Sequence, residues 1–131
     1  CSKLVAKVLI DQGQGGKIVN VSSGAGKSGS AQNLSYNAAC FAQIGMTQSL
    51  ARELGPHGVN VNCVCPGAVD TSRVDDVSQT DEWSKIAKGL PIGRTGTDKE
   101  VGGFISYLCT DAASWIHGQS INLDGGGMME H

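Results

Sequence analysis

The sequence is poor in aromatics, proline and charge. Phenylalanine, tryptophan and tyrosine make up 5% of its 131 residues, charged residues 17%, and there are three prolines. No stretch approaches the length of apolar chain that a membrane-spanning helix needs. Ten basic residues stand against twelve acidic ones, for a net charge of -2. The basic patch that nucleic-acid binding requires is therefore missing. The five cysteines (Cys1, Cys40, Cys63, Cys65 and Cys109) are odd in number, whereas disulfide scaffolds favour even counts. They are expected as reduced thiols of a cytoplasmic protein. Cys63-x-Cys65 has no second Cys or His pair at ligand spacing and lies in an apolar run, so no metal site is expected. Cys1 to Lys7 are mixed in character and do not form a secretory leader. The chain opens on Cys1 rather than methionine, which points to a preceding segment or to processing. Glycine is the excess, at 19 residues, with no low-complexity tract to hold it. The glycines are expected at turns and close approaches of one folded domain, long enough for a single core.

Apolar periodicity predicts an amphipathic helix over residues 3–11 and a turn from Gln12 to Gly16. A β-branched strand spans Lys17 to Ser22, followed by a small, polar loop from Ser23 to Asn33. Phe41, Ile44, Met46, Leu50 and Leu54 mark a helix from Tyr36 to Leu54, stopped by Gly55-Pro56. A second strand runs from Val59 to Val64 and halts at Pro66-Gly67. Val69 to Gly89 reads as a loop with a short helix around Glu82 to Lys88. Asp98 is the expected N-cap of a helix reaching about Thr110, and Gln119 to Leu123 a third strand. Strands alternating with helices imply an α/β fold with a parallel sheet and right-handed crossovers.

Ser23, at a strand end, and Tyr36, at a helix start, lie thirteen residues apart. Around them stand N-V-S-S-G-A-G (Asn20 to Gly26) and S-Y-N-A-A (Ser35 to Ala39). Downstream follow V-N-C-V-C-P-G-A-V-D-T (Val61 to Thr71), P-I-G-R-T-G (Pro91 to Gly96) and G-Q-S-I-N-L-D-G-G (Gly118 to Gly126). In this order and spacing the segments resemble the C-terminal half of the short-chain dehydrogenase/reductase family, from about Lys17 onward. The resemblance implies the C-terminal half of a doubly wound, Rossmann-like parallel sheet with flanking helices. It implies hydride transfer between NAD or NADP and an alcohol or ketone. Ser23 would hydrogen-bond the substrate oxygen, and Tyr36 would act as general acid or base. Pro66 and Gly67 would shape the loop beside the nicotinamide. Val69 and Thr71 would contact its carboxamide or the phosphates, and Tyr36 belongs to the same cofactor-side group. Residues 70–90 would form the substrate-binding segment. The family's oligomers imply a homodimer or homotetramer, paired through the Tyr36 helix, whose Ala38, Ala39, Ala42 and Gly45 permit close approach.

Two departures stand out. The family's lysine, four residues after the tyrosine, is replaced by Cys40. A phenol has an ordinary pKa near 10 and needs a nearby cation to work as a base at neutral pH; a neutral thiol supplies none. Lys27 is the loop's basic residue and would have to swing in to serve. Second, the T-G-x-x-x-G-x-G turn that cradles the pyrophosphate is absent, so the domain is partial over residues 1–131 and NAD(P) binding is expected to be weak. A non-catalytic binding or assembly relative is the alternative these losses leave open.

The remaining features read more plainly. Gly24-Ala25-Gly26-Lys27-Ser28 imitates the end of a phosphate loop, but Val21 stands where its first glycine belongs, so it is a surface turn. Arg94 is expected to fix a turn. Asp75, Asp76 and Asp81 are expected to form a solvated loop face rather than a cation site. Trp83 is a packing anchor or a pocket wall, and Trp115 belongs to core or interface. His57 and His117 are expected in solvent, and Met128 to His131 as a tail.

Overall fold

The computed structural model describes residues 1–71 and 80–129. Asp75, Asp76 and the last two residues of the tail lie outside the described residues.

The chain begins with helix α1 (Ser2–Gln12), ended by Gly13 in the left-handed region at φ 65°. Strand β1 (Gly16–Val21) follows, then a single 3-10 turn over Gly24–Gly26. Helix α2 (Leu34–Leu54) is the longest element and leads into strand β2 (Val59–Pro66). Strand β3 (Val69–Asp70), helix α3 (Asp81–Gly89) and strand β4 (Gly96–Thr97) come next. Helix α4 (Asp98–Leu108) and strand β5 (Ser120–Leu123) complete the order.

The main sheet is parallel throughout, in the order β1-β2-β5. β2 is its middle strand, pairing Ile18 with Val61 on one side and Cys63 with Ser120 on the other. This is the expected α/β arrangement. β3 and β4 form a separate parallel pair, with Val69 opposite Gly96 and Asp70 opposite Thr97. That pair was not expected; two-residue strands are too short to show a period of two.

Each face of the main sheet has its own core. Ala6 of α1, Ala51 and Leu54 of α2, and Ile18, Val59 and Val61 of the sheet close one side. Leu108 of α4, Val64 and Ala113 close the other. On α2 the buried stripe is Asn37, Cys40, Thr47, Ala51 and Leu54. Phe41 and Met46, which helped mark the helix in sequence, are exposed. The spacing found the helix, but small and polar residues occupy the face that meets the sheet. Asn20 on β1 donates to the Thr47 hydroxyl at 2.9 Å, which satisfies one of those polar groups.

Three local expectations are corrected. The N-cap of α4 is Thr97 rather than Asp98: its hydroxyl accepts from the Glu100 backbone N–H at 3.2 Å, and the Glu100 carboxylate accepts from the Thr97 N–H at 2.9 Å. This reciprocal box satisfies two otherwise orphaned donors. His117 is half-buried rather than solvated. Its Nδ1 accepts from the Val61 N–H at 3.2 Å and its Nε2 lies 2.8 Å from the Ala51 carbonyl, tying the end of α2 to β2. Trp115 is 98% exposed, so it is not a core residue. His57 is exposed, as expected.

Candidate active site

Ser23 and Tyr36 are carried by different elements, and three local devices hold those elements together. The Ser22 hydroxyl, just past β1, donates to the Cys40 carbonyl of α2 at 2.9 Å. Gly26 is buried so closely against α2 that a Cβ there would lie 2.9 Å from both the Cys40 carbonyl carbon and its oxygen. Only glycine fits that approach. Asn37 is buried and its amide donates to the Ser30 carbonyl at 3.1 Å, fastening the return of the loop. Ser22, Gly26 and Asn37 are positioning residues that the sequence reading did not single out. The S-S-G-A-G run and the asparagine after Tyr36 were the available signals.

With the loop fixed, Ser23, Tyr36, Pro66, Gly67, Val69 and Thr71 all line one cleft of about 1010 Å³. Tyr36 is 45% exposed there, on the first turn of α2. The Ser23 hydroxyl caps the 3-10 turn by accepting from the Ala25 N–H at 3.2 Å. Its own hydrogen remains able to donate. Gly67 packs on the end of β5, where a Cβ would sit 2.7 Å from the Asp124 Cβ, and its N–H donates to the Leu123 carbonyl at 3.1 Å. Trp83, from α3, forms part of the cleft wall. All the sequence-predicted site residues thus meet in one place, together with the described end of the 70–90 segment.

Cys40 does not join them. It is 5% exposed and sits on the sheet-facing side of α2, outside the cleft lining. There it belongs with two thiols of β2. Cys63 is held below its ordinary pKa, chiefly by its hydrogen bond with Cys65, then by Thr47 and the Lys27 ammonium, against the effect of burial. Cys65 is pushed up, chiefly by that same bond and by burial. Lys27 does not serve Tyr36: its ammonium donates to the Ser120 carbonyl of β5 at 2.7 Å.

Nicotinamide dinucleotide fits these residues at one end only. The Pro66–Gly67 loop, Val69 and Thr71 stand beside Ser23 and Tyr36, where the nicotinamide would lie. The ribose has no lysine to hold it, because the buried Cys40 thiol cannot replace an ammonium. The T-G-x-x-x-G-x-G turn that would cradle the pyrophosphate does not occur in the sequence.

The family model described as Enoyl-(Acyl carrier protein) reductase matches residues 1–128. The chain belongs to the short-chain dehydrogenase/reductase family and matches the C-terminal half of its members. It is 38% identical over 130 residues to a 3-oxoacyl-[acyl-carrier-protein] reductase of Synechocystis, covering 98% of this chain and 51% of the relative. Acetoin dehydrogenase YohF from Salmonella typhimurium superposes with a TM-score of 0.83 at 36% identity, covering 96% of this chain and 48% of that one. A protein from Agrobacterium tumefaciens solved with NADP bound gives a TM-score of 0.90 at 32% identity, covering 95% of this chain and 51% of that one. The chain therefore spans about half the length of the relatives it matches. Those relatives are oxidoreductases, and their sheets are the Rossmann-like one of which this fold is a part.

Proposed function

We infer that this chain is the oxygen-handling part of an NAD(P)-dependent alcohol dehydrogenase or carbonyl reductase. The observation that carries this is the convergence of Ser23, Tyr36 and the Pro66–Thr71 segment on one cleft. The cofactor, when bound, supplies or accepts hydride at a substrate carbon. The chain's own residues do the rest. The Ser23 hydroxyl donates to the substrate oxygen and orients it. The Tyr36 hydroxyl gives that oxygen a proton in reduction and removes one in oxidation. Pro66, Gly67, Val69 and Thr71 bound the nicotinamide side, and the described residues of the 70–90 segment, Trp83 among them, serve the substrate side of this partial domain. A cytoplasmic setting suits the five free thiols. Among the described residues no helix is long and apolar enough to cross a membrane.

The test is a fusion that places the part of the Synechocystis reductase preceding its matched region ahead of this chain, made both with Cys40 as it stands and with Cys40→Lys, whose long stem would have to carry the ammonium from the buried side of α2 to the cleft. NADPH consumption is followed with a ketone panel. Turnover is expected, and Tyr36→Phe or Ser23→Ala should cut it about a hundredfold or more. A folded fusion that binds NADPH yet turns over no ketone, or turns over equally well without Tyr36, would overturn the proposal and favour a non-catalytic relative.

A further inference from the structure

We propose that Trp83 is the specificity-determining wall of the cleft, that Asp70 is its positioning residue, and that the wall selects substrates bearing a flat, apolar group beside the reacting oxygen. This rests on the cleft being the substrate site.

The indole N–H of Trp83 donates to Asp70 Oδ1 at 2.7 Å, and the hydroxyl of the buried Thr95 donates to Asp70 Oδ2 at 2.8 Å. Both carboxylate oxygens are thus engaged, one from α3 and one from the segment entering β4. Thr95 is held in turn, because Arg94 donates to its carbonyl at 3.0 Å and forks onto Glu100 at 2.6 and 3.0 Å. A continuous polar chain therefore runs from the cleft wall through β3 to the start of α4. The Trp83 backbone N–H donates to the Thr80 hydroxyl, the N-cap of α3, at 3.2 Å.

The consequence is chemical. Tryptophan has one polar handle, a donor, and no acceptor. Here Asp70 takes that donor, so the side chain offers the cleft a carbon surface. Pro66, Ala68 and Val69 line the same cleft with Ser23 and Tyr36. An aryl or cyclic ketone would stack on the held ring with its oxygen turned to the two hydroxyls that line the same cleft. A polyol would lose water from its hydroxyls against the ring and gain no partner for them.

The experiment uses the 131-residue chain, labelled with nitrogen-15. Acetophenone and xylitol are the probes, and the readout is the Trp83 indole N–H resonance, with Trp115→Phe assigning it. Acetophenone is expected to shift that resonance saturably and xylitol to leave it in place. Trp83→Ala should weaken acetophenone about tenfold, the equivalent of about 1.4 kcal/mol, and Trp83→Phe much less. Asp70→Ala should move the indole resonance and weaken acetophenone. Asp70→Asn, which can still accept from the indole, should restore both, an outcome that a merely structural role does not predict. The wall is refuted if Trp83→Ala binds acetophenone as the parent does, if xylitol shifts the resonance equally, or if Asp70→Ala changes neither signal. Tyr36→Phe separates the two proposals: it should abolish turnover in the fusion while leaving acetophenone bound against Trp83.

Discussion

Glu100 shows how much one exposed side chain can organise. Its carboxylate is held at about 2, against an ordinary 4.5, chiefly by the Arg94 guanidinium, then by the backbone N–H and hydroxyl of Thr97. The folded pKa is depressed, so the group supports the fold fully above its ordinary value. That support fades as pH falls from about 4.5 toward about 2. Between those limits the first turn of α4 should lose its box and its link to Arg94. Amide exchange at residues 98–101, followed together with the Glu100 carboxyl carbon shift, reads this. A carboxyl midpoint near 4.5 would contradict it. Cys40 is the opposite case at the same scale. A thiol suits the buried stripe that faces β2, and that placement keeps it out of the cleft.

Elements were legible in proportion to how far local chemistry decides them. β1, α2 and β2 carry strong periodicity and clear stops, and they fold where the sequence places them, within two residues. Ser23, Tyr36, Pro66, Gly67, Val69 and Thr71, singled out by the family resemblance, all line one cleft. What stayed hidden depends on contacts across the fold. His117 looks like any turn histidine until Ala51 and Val61 are brought beside it. Asp70 looks like one more acid until Trp83 and Thr95 converge on it. The β3–β4 pair exists because Ala68 and Gly96 meet, not because either segment favours extended structure. Helix α2 also carries a prediction. Ala38, Ala39, Ala42 and Gly45 are exposed on it beside Phe41 and Met46, and a Cβ at Gly45 would meet nothing. Such a surface permits close helix approach, so a homodimer or homotetramer is expected. Light scattering at tens of micromolar should show it, and a monomer would count against it.

At the scale of the whole molecule, two cores sit on either face of a short parallel sheet with β1 left at one edge. In the family's doubly wound fold the dinucleotide lies across the sheet's switch point, and the proposed function gives this chain the nicotinamide side of that arrangement. The proposed function makes catalytic oxygen chemistry separable from cofactor grip. Ser23 and Tyr36 line the cleft, whereas among the described residues no lysine or arginine lines it, and the sequence has no T-G-x-x-x-G-x-G turn for the pyrophosphate. Titrating the chain alone with NADPH, and following cofactor fluorescence, tests that separation most directly. No saturable binding is expected in the micromolar range; a micromolar dissociation constant, about 8 kcal/mol of binding free energy, would contradict it.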